Sequence, residues 1–193
     1  HNMGVVAGIS DTITVLARRL DAQGALAYLQ TRPEVAPDRI ALLGWSHGGS
    51  TLLATFNARQ RAVAAWKDRK GAPPYFRAGV AFYPGCIESL RARDGYTVAA
   101  PLTLFVGGAD DWTAPQPCID LAGRLTAAGE PVTITVYPGV YHGFDGPAAR
   151  GRLRLDVPNG VNPGQGVTVA PDPSAREDAY ARVSTFLRTE IGA

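Results

Sequence analysis

The chain has 193 residues, enough for one domain with a hydrophobic core of its own. Apolar residues make up 46% and charged residues 19%, and the formal net charge of +2 comes from arginines scattered along the sequence. That pattern argues against nucleic acid or an acidic membrane surface as a partner, and no apolar run approaches the roughly 20 residues that cross a bilayer.

In chain order, the stretch DTITVLARRLDAQGALAYLQ spaces Ile13, Leu16, Leu20 and Ala27 as an amphipathic helix, with Asp11 as its expected N-cap. Two prolines in RPEVAPD break it, and RIALLGW then reads as a short apolar strand buried on both faces. GGSTLLATFNARQ has the composition of a helix. AGVAFYPG is a second strand, PLTLFVGGADD a third and PVTITVYPG a fourth. PQPCIDLAGRLTAAGE supplies a helix with Gly129 near its end, and SAREDAYARVSTFLRTEI closes the chain with a capping-box pattern of Ser174 and Glu177. Strands alternating with helices at this spacing predict an α/β fold with a parallel sheet. Two segments stand outside the rhythm, residues 61–76 and 150–173. The second is rich in Gly, Pro and Asn and long for a plain loop, so it is expected to fold over the mouth of a site.

Between the first strand and the second helix lies GWSHGG, a GxSxG pattern from Gly44 to Gly48. A serine hydroxyl is a poor nucleophile until a base takes its proton, so a tight turn that lifts Ser46 clear of the strand has chemical meaning. Glycine at 44 and 48 is expected to avoid collisions at that turn, and the N–H of His47 to serve as an oxyanion donor at the helix start. A base and an acid should come from the ends of later strands, where open α/β sheets bind ligands. GGADDWTAP delivers Asp110 there and YPGVYHGFDG delivers His142. Asp111 is the rival for the acid; otherwise it caps the helix expected to begin near Thr113. Trp45, Tyr83 and Trp112 are candidate substrate-binding walls, or plain core. Cys86 and Cys118 are too few and too far apart for a CxxC motif. They are either buried thiols or a disulfide; if paired, the loop of about 30 residues stabilises the fold by roughly 3–4 kcal/mol and suits a periplasmic or extracellular setting.

RRLDAQGALAYL, PDRIALLGWSHGG, AFYPGC, LFVGGADDWTAPQPC and YPGVYHGFD occur in an order and at a spacing that resemble the dienelactone hydrolase family of α/β-hydrolases, from about Arg18 to the C-terminus. The resemblance implies an α/β-hydrolase fold with helices on both faces of the sheet, the aspartate of GGxD as acid at Asp110, and the histidine of the HGF turn as base at His142. The family's prototype has cysteine at the elbow, where this chain has Ser46, as in the serine esterases of the wider group. The implied activity is hydrolysis of small carboxylic esters or lactones through an acyl-enzyme, with no metal and no cofactor. The rival readings are a noncatalytic binding module on the same scaffold and a peptidase of the same superfamily. The resemblance also implies further strands before residue 1, so that the chain is the C-terminal catalytic portion of a single domain whose sheet is completed by an upstream segment or by a second copy.

Overall fold

The computed structural model describes residues 11–59, 75–147, 150–157 and 159–192. In chain order these form α1 (Asp11–Leu29), β1 (Ala41–Trp45), α2 (His47–Phe56), β2 (Ala78–Phe82), a single turn α3 (Ile87–Leu90), β3 (Leu102–Gly107), α4 (Gln116–Ala127), β4 (Val132–Tyr137), a hairpin of β5 (Arg152–Arg154) with β6 (Val167–Val169), and α5 (Pro173–Ile191). The four main strands make one parallel sheet in the order β1-β2-β3-β4. All four strands expected from the apolar runs are present. Most of residues 61–76, expected to interrupt the rhythm, lies outside the described residues.

β2 and β3 are buried along their whole length, and their alternating side chains feed two cores. Ala81, Leu102, Leu104 and Val106 pack with Leu52 and Phe56 of α2, Leu121 and Leu125 of α4, and Leu26 of α1. Val80, Phe82 and Phe105 point the other way and meet Phe144 and, from α5, Ala175, Ala179 and Val183. Helices thus cover both faces, as the apolar β2 and β3 require.

β1 differs from its expectation. Four of its residues are half-buried or exposed, because among the described residues it pairs with β2 alone and so lacks a neighbour on its other edge. The buried stripe of α1 also differs. It runs through Arg19, Gln23 and Leu26, four and three residues apart, while Leu20 is 51% exposed. The side chains of Asp11, Ile13 and Leu16 lie outside the described residues. At the other end of the chain, Asp172 rather than Ser174 caps α5, accepting the N–H of Ala175 at 2.9 Å. Pro173 then takes the first helical position, where its fixed φ fits and no N–H is needed, which sets the cap upstream of the expected site. Gly129 does end α4 as read: it has a φ of +77°, and the next N–H, of Glu130, returns to the carbonyl of Leu125.

Candidate active site

The C-terminal ends of β1, β2, β3 and β4 lie side by side, so the residues that follow them converge. Ser46 follows β1 directly and holds φ 52° and ψ −119°, a backbone conformation that side-chain-bearing residues rarely adopt. Its N–H is held by the carbonyl of Phe82 at 2.9 Å, and its own carbonyl accepts from Ser50 N at 3.0 Å, the first bond of α2. Gly44 makes the turn possible, since a Cβ there would stand 2.4 Å from the carbonyl oxygen of Gly48. The expectation for Gly48 itself is corrected. A Cβ on Gly48 meets nothing within 4 Å, whereas one on Gly49 would press on Pro84 at 3.0 Å and Phe82 O at 3.2 Å. The backbone of residue 48, not its missing side chain, is what crowds Gly44.

Ser46 Oγ lies 2.9 Å from Nε2 of His142, and Nδ1 of the same ring lies 2.8 Å from Oδ2 of Asp110. His142 is 3% exposed and Asp110 4%. Because the Asp110 carboxylate accepts, Nδ1 carries the ring hydrogen and Nε2 presents a lone pair to the serine hydroxyl. The carboxylate is held in turn by the N–H groups of Trp112 and Thr113 on Oδ1, at 2.9 and 2.8 Å, and by the Thr113 hydroxyl on Oδ2 at 2.8 Å.

Asp111 takes neither role expected of it. Its oxygens accept the N–H and hydroxyl of Thr168 at 2.7 and 2.9 Å, and its carbonyl accepts Val161 N at 2.8 Å. It therefore ties residues 150–173 to the loop that carries Asp110, and α4 begins later, at Gln116, with Pro115 in the capping position. That segment forms the β5–β6 hairpin, bridged to the site where His142 pairs with Val169.

Of the three aromatic candidates, Tyr83 is buried and its ring centroid lies 4.5 Å from that of His142, while Trp112 lies 4.8 Å away on the same imidazole. Arg154 of the hairpin covers the Trp112 ring at 5.2 Å. Trp45 is 41% exposed and stacks on Phe82. The side chain of His47 is engaged by Arg18, whose Nη1 donates to Nδ1 at 2.6 Å. Its backbone N–H sits in the first turn of α2. Cys86 and Cys118 are joined in a disulfide that links the loop after β2 to α4.

Sequence reasoning missed Asp145. Its carboxylate accepts from Trp45 Nε1 at 2.7 Å, Tyr83 OH at 2.6 Å and Tyr180 OH at 3.1 Å, so one side chain ties the elbow, the end of β2 and α5 together. Burial, and then the hydrogen bond to Asp145, push the Tyr83 hydroxyl well above the usual phenol range. The signal available was the aspartate three residues beyond His142, but nothing local shows three donors arriving from distant segments.

The sequence profile of the dienelactone hydrolase family matches residues 9–191. The chain belongs to the dienelactone hydrolase family. No curated protein sequence matches it. Among solved structures it is similar to Thermogutta terrifontis esterase 2, phosphoramylated by tabun, with a TM-score of 0.63 and 18% identity over 92% of this chain and 66% of the other. A dienelactone hydrolase-like promiscuous phosphotriesterase, P91, from metagenomic libraries gives a TM-score of 0.62 and 19% identity over 96% of this chain and 68% of that one. Porphyromonas gingivalis dipeptidyl peptidase 4 gives 0.60 and 19% over 91% of this chain and 23% of its own. The chain thus spans about two thirds of the first two structures. These likenesses establish the α/β-hydrolase fold, and an esterase, a phosphotriesterase and a peptidase sharing it shows that the fold does not select the bond to be cleaved.

Proposed function

We propose that this member of the family is a serine hydrolase that cleaves small carboxylic esters or lactones through an acyl-enzyme. The observation that carries this reading is the unbroken hydrogen-bonded chain from Ser46 Oγ through His142 to Asp110, starting on a strained turn and ending in a buried carboxylate. Ser46 Oγ attacks the acyl carbon as its proton passes to His142 Nε2, and Asp110 keeps the ring in the required tautomer and stabilises the imidazolium. The oxyanion develops near the start of α2, where the N–H of His47 is the natural donor. Collapse expels the alcohol with the proton returned by His142. Water, deprotonated by the same nitrogen, then attacks the acyl-serine and regenerates the hydroxyl. Trp112 and Tyr83, packed on the imidazole, are the candidate walls for the acyl group. The hairpin anchored by Asp111 stands where it can limit access.

Within this reading the chain is the C-terminal catalytic portion of one domain, its sheet completed beyond β1 by an upstream segment or a second copy. Two observations support that. Among the described residues β1 pairs only with β2, and among them the buried side-chain nitrogen and oxygen of Gln23 and Nε of Arg19 have no hydrogen-bond partner, an arrangement that costs free energy unless something supplies them. A fluorophosphonate probe is expected to label Ser46, with labelling abolished in Ser46→Ala. A folded wild-type protein that takes up no label across the pH range would overturn the hydrolase reading.

A further inference from the structure

The hydroxyl of Thr113 stands at a junction that the catalytic steps do not use. Its Oγ1 is 2.8 Å from Asp110 Oδ2, 3.2 Å from His142 Nδ1 and 3.1 Å from the backbone oxygen of Tyr83. The N–H of the same residue closes on Asp110 Oδ1. One side chain therefore touches both the acid and the base, together with the backbone of the ring packed on that base. Tyr83 is itself held at a φ of +37°, so the contact to its carbonyl helps fix a conformation that its neighbours must impose.

A hydroxyl has one proton and two lone pairs. The carbonyl of Tyr83 and the carboxylate of Asp110 can only accept, and Nδ1 of His142 carries its hydrogen toward this group. The Thr113 proton thus has two acceptors to choose between, while a lone pair faces the Nδ1 hydrogen. β-Branching restricts rotation about χ1 and keeps Oγ1 at the junction.

We propose that Thr113 is a positioning residue for the Asp110–His142 pair, a deduction that rests on the hydrolase reading. In the resting state its proton lies on the shorter contact, to Asp110 Oδ2, and holds that oxygen in line with Nδ1. When the imidazole takes the serine proton, the hydroxyl turns its hydrogen to the Tyr83 carbonyl and keeps on Nδ1–H the lone pair that already faces it. The imidazolium thus keeps two acceptors on Nδ1–H, Asp110 Oδ2 at 2.8 Å and Thr113 Oγ1 at 3.2 Å, without any heavy atom moving.

Three proteins test this: the wild type, Thr113→Val, which keeps the shape and loses the hydroxyl, and Thr113→Ser, which keeps the hydroxyl and loses the methyl. In Thr113→Val, kcat on an activated ester is expected to fall about ten- to a hundredfold, the range for losing a hydrogen bond to a charged group, with KM nearly unchanged. Thr113→Ser should recover most of the rate. The downfield proton resonance of His142 Nδ1–H should move in the valine variant and return in the serine variant, a signature that a loss of packing does not give. A labelled, active wild type whose valine variant keeps the same kcat and the same resonance would overturn the assignment to Thr113 alone. Equal losses of rate in the valine and serine variants, following a fall in Tm, would overturn it in favour of packing. A wild type that is folded yet takes no fluorophosphonate would instead remove the hydrolase reading and, with it, the positioning role of Thr113.

Discussion

Replacing Cys86 and Cys118 together by alanine opens a cross-link between residues 32 apart in sequence. For a loop of about 33 residues the chain-entropy relation gives about 12.5 cal/mol/K of entropy withheld from the unfolded state, or about 3.7 kcal/mol at 25 °C. The unfolding entropy of a chain of this length is about 0.4 kcal/mol/K, from roughly 2.1 cal/mol/K per residue. The double variant should therefore melt about 9 °C below the wild type. Both half-cystines are buried, at 1% and 0% exposure, so a mild reductant should leave the native protein untouched and lower Tm only after a cycle of unfolding. Calorimetry with and without reductant, and mass spectrometry for the two-hydrogen difference, read both effects. A shift below about 3 °C would refute the loop-entropy reasoning, and immediate reduction of the folded protein would refute the shielding of the bridge.

Asp111→Ala should release the β5–β6 hairpin from the Asp110 loop, because it removes both bonds to Thr168. Limited proteolysis within residues 150–170 should quicken and Tm fall by about 3–8 °C, the shift expected for losing hydrogen bonds to a charged group; an unchanged cleavage pattern would show that the hairpin is held by other contacts. Alkaline titration reads the buried and half-buried phenols. Burial is the main cause that raises Tyr83, Tyr96 and Tyr137, followed by Asp145, Glu130 and Asp178 respectively. The folded state holds these protons more tightly than the unfolded chain, so this part of the stability is intact below about pH 10 and is lost as pH rises further. The tyrosinate absorbance of these residues should appear together with loss of the near-ultraviolet circular dichroism. Ionisation of all seven tyrosines before any unfolding would contradict it.

The α/β class, the four parallel strands, and the placement of Ser46, Asp110 and His142 after strand ends were legible because each rests on short-range patterns. Apolar runs of four to six residues mark buried strands, and Gly44 marks a turn with no room for a Cβ. Parallel strands bring their C-terminal ends together, so residue type and position after a strand were enough to nominate the three. The cap of α5 falls two positions before the one its capping-box pattern suggests, because Ser174 and Asp172 both suit a cap and Pro173 between them decides the matter. The full burial expected of β1 failed for a different reason: apolarity tells that a strand avoids water, not how many neighbours it has among the described residues.

The sequence by itself determined which residue types end each strand, since that depends on local periodicity and turn chemistry. Only the tertiary structure decided what those residues touch. It turned Asp111 away from the acid position toward Thr168, and it brought the Thr113 hydroxyl between Asp110, His142 and Tyr83. It also gathered Trp45, Tyr83 and Tyr180 around Asp145 across separations of 100, 62 and 35 residues. A hydrogen bond depends on distances of a few tenths of an ångström and on direction. Those quantities are fixed by packing among segments far apart in the chain, and no spacing within one segment encodes them.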